Sequence, residues 1–326
     1  MEHPLLISLL SPMVLAFVLG IIATLVKSDL KFPEELYTAL TIYLLVAIGL
    51  KGGYKLSLST FAEFWKPGMA AVLIGVSIPV WSYFILRYLG KFDVANAAAL
   101  AAHYGSVSAV TFSEALAFHD NLKLTYEGYM PSLLTILEVP AILIAIFIAR
   151  TSTQDKASQA GGASTKEVMR ELLAGKSTLL LVGCLVIGLL AGKRGWDQVS
   201  PLFDVPFRGV LTLFLLEAGL VTGRRLGDLS KAGPFLFGFG IVMPVLHACI
   251  GIVLGKAAGL SMGGATILGV LAASASYIAA PAAVRVALPT ASPTYYLTAS
   301  LAITFPFNIL IGLPLYHAIA QAIYAI

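Results

Sequence analysis

The chain reads Leu40-Thr-Ile-Tyr-Leu-Leu45 in its first half and Leu211-Thr-Leu-Phe-Leu-Leu216 in its second half. Behind each copy follow two glycines and a basic residue at the same internal spacing, as Gly49, Gly53 and Lys55 and again as Gly219, Gly223 and Arg225. Many membrane carriers are built from such internal duplications. The repeated stretch therefore predicts a fold made of two related halves.

The composition excludes an ordinary soluble protein. Hydrophobic residues make up 58% of the chain and charged residues 12%, with a mean hydropathy of +0.89, whereas a soluble domain carries about 25% charged residues. The net charge of +4 is small and the basic residues are scattered, which disfavours nucleic-acid binding. Cys184 and Cys249 lie in apolar stretches, so we expect neither a disulfide framework nor a thiolate metal site.

About 20 apolar residues cross a bilayer as a helix, and the sequence contains ten such runs. They are residues 5–26, 36–52, 68–86, 94–118, 129–149, 177–191, 205–221, 234–254, 263–288 and 294–320. We therefore predict an all-α polytopic membrane protein with ten transmembrane helices. Residues 1–150 would form the first five-helix repeat, 151–176 a cytoplasmic linker and 177–326 the second repeat. Because five is odd, the second repeat would be inverted relative to the first.

Orientation follows from the positive charges. The stretch 151–165 is polar and rich in small residues, which predicts a flexible linker, and 166–173 could form an amphipathic surface helix with Val168, Leu172 and Leu173 on one side. Most of the 21 Lys and Arg residues fall on the linker's side of the predicted membrane. The positive-inside rule then predicts a multi-pass protein of the cell inner (plasma) membrane, with a cytoplasmic linker and both termini outside.

The fourth and ninth spans are interrupted near their middles by small and hydroxyl residues. They read His103-Tyr-Gly-Ser-Val-Ser108 and Ala273-Ser-Ala-Ser-Tyr277, with Ser106-Val-Ser108 matching Ser274-Ala-Ser276 across the repeat. Glycine and serine weaken helices, so both spans are predicted to break. Two half-helix N-termini would then bind an anion, while the preceding carbonyls would suit Na⁺. Close helix packing by small residues is the alternative, and the matched pair of motifs favours the break.

The fifth and tenth spans share a proline motif, Glu138-Val-Pro140 and Thr304-Phe-Pro306. A proline in a helix leaves the carbonyl four residues earlier without its donor, here those of Ile136 and Ala302. Glu138 is ionisable within an apolar segment, which points to function, although a protonated or serine-paired structural glutamate is the alternative. Asn308 is either an ion ligand or an interhelix hydrogen-bonding residue.

Other polar residues lie in or near the spans. His103, at the predicted break, could orient a substrate or the backbone. Gating or interface roles are possible for Glu114, Arg208, Glu217 and Arg285, although charged pairs between membrane helices often serve structure.

Several stretches together resemble the sodium-dependent bicarbonate transporter family of cyanobacteria and their bacterial relatives. They are 97–112, Tyr126-Glu-Gly-Tyr129, 272–285, Tyr296-Leu-Thr-Ala-Ser300 and Thr304-Phe-Pro-Phe-Asn308. The resemblance covers nearly all ten spans but not the linker. It implies a homotrimeric Na⁺/HCO₃⁻ symporter for inorganic carbon uptake, with a core domain that moves against a gate domain. It also implies a PII-like regulatory protein on the cytoplasmic face.

The predicted site combines the resemblance with the reading of the residues. The family's substrate positions correspond to Gly105, Ser106, Val107, Ser108, Ser274, Ala275 and Ser276. The candidates for binding sodium are His103, Ser106, Ser274, Glu138, Thr304 and Asn308. No cofactor is expected, and Na⁺, as the coupling ion, is the one metal.

The residues and the resemblance agree on an anion site beside a cation site. Backbone N–H groups and serines could hold bicarbonate, a small planar monoanion, without a buried arginine. A symporter of another small anion and a cation/proton antiporter that uses Glu138 are the alternatives. An intramembrane hydrolase using Ser106 and His103 is disfavoured because the break disturbs their helical spacing and no G-x-S-x-G or paired aspartate motif is present. We therefore expect a transporter and not an enzyme.

Overall fold

The computed structural model describes residues 4–152 and 165–325. Within these residues the fold is helical and has no β-strand, which confirms the all-α prediction. The predicted flexible linker lies largely outside the described residues, although Thr151 and Ser152 still belong to a helix.

Residues 4–152 contain eight α-helical segments. They are α1 (Pro4–Leu9), α2 (Pro12–Leu25), α3 (Glu34–Ser57), α4 (Phe61–Phe84, extended by a π-helical turn at Ile85–Leu89), α5 (Val94–Gly105), α6 (Ala109–Asn121), α7 (Met130–Glu138) and α8 (Pro140–Ser152). The second half continues through a surface helix, several long helices and two short helical segments. They are α9 (Thr165–Ala174), α10 (Lys176–Phe203), α11 (Phe207–Arg225), α12 (Leu229–Ala257), α13 (Met262–Ala273), α14 (Ala279–Ala287), α15 (Pro293–Leu297), α16 (Phe305–Phe307) and α17 (Leu313–Ala325).

Six stretches of the described chain are long and apolar enough to cross a membrane. They are Glu34–Ser57, Phe61–Leu89, Met130–Ser152, Lys176–Phe203, Phe207–Ala257 and Pro293–Ala325. The 51-residue stretch corresponds to the predicted seventh and eighth spans together. The predicted first, fourth and ninth spans consist of shorter helices. The multi-pass character is thus confirmed, while the count of ten spans and the inverted repeat stay predictions.

The glycines of the duplicated stretch lie at two close helix crossings. Helix α3 packs along α10, and α11 packs along α2. A Cβ added at Gly53 would lie 2.0 Å from the carbonyl oxygen of Leu185, and one at Gly219 would lie 2.1 Å from that of Phe17. Only glycine allows the backbones to approach this closely, so the two copies of the motif build two similar helix pairs.

The helices that lead to the centre of the molecule begin at polar caps. The side chain of Asp93 accepts the N–H of Asn96 at the start of α5, and that of Ser261 accepts the N–H of Gly264 at the start of α13. Glu127 in turn accepts the N–H of Ser261 at 2.7 Å. Such caps satisfy first-turn N–H groups and fix where each helix starts.

The linker-side helix α9 is amphipathic as predicted and packs on α14. Val168 and Leu172 are buried in a cluster with Ala283 and Val284. Leu173, however, is 54% exposed and does not share that face. One predicted member of the apolar side is therefore wrong, because Leu173 is adjacent in sequence to Leu172 and points away from the packed side.

Candidate functional site

Both predicted helix breaks are present. Helix α5 ends at Gly105 and α6 begins at Ala109, while α13 ends at Ala273 and α14 begins at Ala279. Between them the backbone is extended, with φ −86° and ψ −179° at Ser106 and φ −80° and ψ 160° at Ser274. Four helix ends therefore meet inside the protein.

Hydrogen bonds join the two breaks directly. The Ser108 N–H donates to the Ser274 hydroxyl at 3.0 Å, and the Ser276 N–H donates to the His103 carbonyl at 2.8 Å. Each break thus satisfies backbone groups that the other would leave unpaired. We call this hydrogen-bonded pair of breaks the crossing.

The serines of the crossing also cap the half-helices that start there. The Ser108 hydroxyl oxygen accepts the Thr111 N–H at 3.2 Å, and the Ser276 hydroxyl oxygen accepts the Ala280 N–H at 3.2 Å. The first N–H groups of any helix have no intrahelical partner, and the helix dipole makes this end positive. The starts of α6 and α14 therefore bring positive potential to one point.

A narrow cavity, the crossing cavity, opens at this point. Its polar wall includes Ser108, Ser276, Glu138, Ser177 and Tyr277. Glu138 is 3% exposed; one of its carboxylate oxygens accepts the Ser177 hydroxyl, and the other has no protein partner. A buried carboxylate oxygen without a donor is costly. The crossing cavity therefore combines positive helix ends with a carboxylate that requires a cation or a proton.

Gly105 and Ser106 directly precede Val107 and Ser108 of this wall in sequence and do not line the cavity. The Ser106 hydroxyl donates to the Glu138 carbonyl at 3.0 Å, which ties the break to the end of α7. A Cβ at Gly105 would lie 2.7 Å from Cδ of Pro79 and 2.8 Å from Cβ of Ala141. Glycine is required here because neighbouring helices approach the last turn of α5 this closely.

Of the six predicted sodium residues, Glu138 lines the crossing cavity, Ser106 and Ser274 belong to the crossing without lining the cavity, and the other three lie apart. Asn308 donates to the Ala273 carbonyl at 3.0 Å, so it satisfies the end of α13. The Thr304 hydroxyl donates to the Gly240 carbonyl at 2.7 Å. His103 is fully buried, with Nδ1 2.7 Å from the Ala99 carbonyl. The structure thus brings together Ser106, Val107, Ser108, Ser274, Ser276 and Glu138, and it leaves Asn308, Thr304 and the His103 side chain apart.

Residues 12–321, nearly the whole chain, match the model of the Na⁺-dependent bicarbonate transporter superfamily. The chain belongs to this superfamily. No curated protein gives a significant match. The resemblance predicted from the sequence is therefore confirmed, and membership of a transporter family implies transport and not catalysis.

Two polar residues at the transporter's crossing cavity were not predicted as site residues from the sequence. Ser177, at the start of α10, is 7% exposed and donates to Glu138. Tyr277 is 8% exposed and lies within the second break, directly after Ser276. A hydroxyl at the first turn of an apolar run was the available signal for Ser177, but its partner lies 39 positions away in sequence.

Proposed function

We propose that this protein is a sodium-dependent bicarbonate symporter, in which the Na⁺ gradient drives HCO₃⁻ uptake by alternating access. The observation that carries the proposal is the unpartnered carboxylate oxygen of Glu138 on the same small cavity as the two half-helix starts. The crossing cavity therefore attracts both an anion and a cation. The alternation of a core domain against a gate domain is what the family resemblance implies.

The anion would bind at the crossing. Bicarbonate has one donor and several acceptor oxygens, and first-turn N–H groups with a nearby hydroxyl match these needs. The cavity wall carries Ser108 and Ser276 but, among its described residues, no lysine or arginine. An anion held by neutral donors is released more readily than one paired with a buried cation. Gly105, Val107, Ser274 and Ala275 would shape the backbone around it.

The cation would bind next to Glu138. Na⁺ is a hard cation that takes oxygen ligands, and the Glu138 carboxylate is the acidic group of the cavity wall. The hydroxyl oxygens of Ser108, Ser276 and Ser177 lie on the same wall and offer neutral oxygens. Ser106 and Ser274 support this arrangement through their own hydrogen bonds. Na⁺ is the coupling ion in this proposal, and no other cofactor is needed.

Coupling follows from charge. Moving an isolated charge through a low-dielectric region is costly. A bound Na⁺ offsets part of the negative charge that bicarbonate adds beside the Glu138 carboxylate, so the bicarbonate-loaded carrier crosses with less penalty when Na⁺ is bound than when it is absent. Transport of one ion then depends on the other.

The arrangement of spans supports a ten-span, inverted five-plus-five scheme. In that scheme α2 and α3 correspond to α10 and α11, and the glycine contacts of α3 with α10 and of α11 with α2 are equivalent pairs. These four helices would form the gate domain, and the helices around the crossing would form the core domain. A homotrimer and a PII-like partner on the cytoplasmic face are further parts of the proposal, which rest on the family resemblance.

Uptake into proteoliposomes tests the function. We expect radiolabelled bicarbonate to enter under an inward Na⁺ gradient and to enter far more slowly when K⁺ replaces Na⁺. Equal uptake in the two conditions would refute Na⁺ coupling. Competition by other small anions would instead assign the anion site to a different substrate, and proton release on Na⁺ addition without bicarbonate would favour an antiporter that uses Glu138.

A further inference from the structure

A second and larger cavity of about 250 Å³ separates α6 from α3 and from the corner between α10 and α11. We call it the vestibule. Its α6 wall carries Ser113, Leu116 and Asp120, and its opposite wall carries Lys51 and Arg208. Since the linker lies at the other end of α10, the predicted orientation places the vestibule on the outer side.

The vestibule and the crossing cavity lie along one face of α6. Ala109 lines the crossing cavity, and Ser113, Leu116 and Asp120 line the vestibule. These four positions are spaced by four, three and four residues, which keeps them on a single helix face. The face therefore runs from the crossing to the end of α6, as expected for one wall of a path to the site.

Arg208 closes the far end of this face. Its guanidinium donates to the Asp120 carboxylate and to the Asn121 side-chain oxygen, both at 3.1 Å. The other Asp120 oxygen accepts the Tyr126 hydroxyl at 2.8 Å. Burial and the charge of Asp120 raise the pKa of the Tyr126 phenol, so it stays a protonated donor at neutral pH. Asp120 is thus held in position for the forked contact from α11.

We propose that the contact of Arg208 with Asp120 and Asn121 is a gate strap, which must open before a solute passes between the vestibule's mouth and the crossing. This rests on the proposed function, in which α6 belongs to the moving core and α11 to the gate. Two donors in a fork fix the register of the helices. The Arg208 and Asp120 side chains are 51% and 44% exposed, and exposed pairs are weak. The gate strap therefore holds α6 and α11 in the closed arrangement, and little free energy is needed to break it.

The same cavity provides a matched control. Lys51 and Asp204 form an ion pair at 2.7 Å, with side-chain exposures of 42% and 44%. Both residues lie on the gate side of the proposed division, Lys51 on α3 and Asp204 between α10 and α11. Movement of α6 does not need to break this pair, so removing it should leave the closing contact intact.

The test measures access to the vestibule without using transport. The reporter is Leu116→Cys, in protein with Cys184→Ala and Cys249→Ala, reconstituted and labelled with a membrane-impermeant maleimide applied to either side. From the side of the mouth, we expect Arg208→Gln and Asp120→Asn each to raise the labelling rate by up to about fivefold. The double variant should be no faster than either single one, because both remove the same contact. Lys51→Gln should label at the parental rate.

Arg208→Lys provides a second variant, which keeps the charge but loses the fork, and its rate should fall between the parent and Arg208→Gln. Parental labelling in both Arg208 variants would overturn the strap, and so would an equal acceleration by Lys51→Gln. Because labelling requires neither Na⁺ nor bicarbonate, a correct labelling pattern with no bicarbonate uptake would count against the proposed function alone.

Discussion

At the scale of single residues, Glu138 carries the sharpest prediction. Glu138→Gln keeps the shape of the side chain and removes its negative charge beside the crossing. We expect the Na⁺ concentration for half-maximal uptake to rise by about tenfold or more, which corresponds to roughly 1.4 kcal/mol or more of lost cation binding. Uptake measured across a series of Na⁺ concentrations checks this result.

Glu114→Gln is the matched control for Glu138. Glu114 is also buried, at 2% exposure, and also has one carboxylate oxygen without a protein partner, but it does not line the crossing cavity. For Glu114→Gln, the Na⁺ concentration for half-maximal uptake should stay within about twofold of the parental value, since a twofold change corresponds to less than roughly 0.5 kcal/mol. If the two variants behaved alike, the sodium site would have to be placed elsewhere.

Single residues also show what the sequence can and cannot predict. Ser106, Ser108 and Ser276 can be predicted because glycine and serine are poor helix formers, which is a local property. Ser177 was missed because its role depends on a partner from a distant segment. Asn308 was recognised as polar and deep, but its contact with the Ala273 carbonyl appears only when α13 and the tenth span pack together.

At the scale of helices, the repeated glycines predict a packing penalty. Gly219→Ala would place a methyl group 2.1 Å from the carbonyl oxygen of Phe17, so α11 and α2 must move apart. We expect a loss of about 1–3 kcal/mol in the free energy of unfolding. The temperature of unfolding of the purified protein in detergent should therefore fall.

Gly209 lies in the same helix α11 and provides the comparison. A Cβ at Gly209 meets no atom within 4 Å. Gly209→Ala should therefore be neutral or stabilising by up to about 1 kcal/mol, because alanine favours the helix. Equal losses of stability from both substitutions would show that the close packing of α11 against α2 does not matter for stability.

The tenth span shows where hydropathy alone is insufficient. The sequence predicts a run over 294–320 with a proline at its centre, whereas the structure contains π-helical segments at Thr298–Thr304 and Asn308–Gly312 on either side of Pro306. Tertiary contacts accompany this distortion, since the Thr222 hydroxyl donates to the Leu301 carbonyl at 3.0 Å. Hydropathy measures how apolar a segment is, and it contains no information about which distant donor can hydrogen-bond to a released carbonyl.

At the scale of the whole molecule, the duplication and the charge distribution predict one topology. Ten spans place both termini on the side opposite the linker, and α9 carries Lys166 and Arg170 next to the predicted cytoplasmic surface. A reporter that is active only in the cytoplasm should be inactive when fused after Ile326 and active when inserted after Ala174. Activity at the C-terminus together with inactivity after Ala174 would show that the protein has the opposite orientation in the membrane. Activity at both positions would instead require an even number of spans between them, and would contradict the five-plus-five scheme.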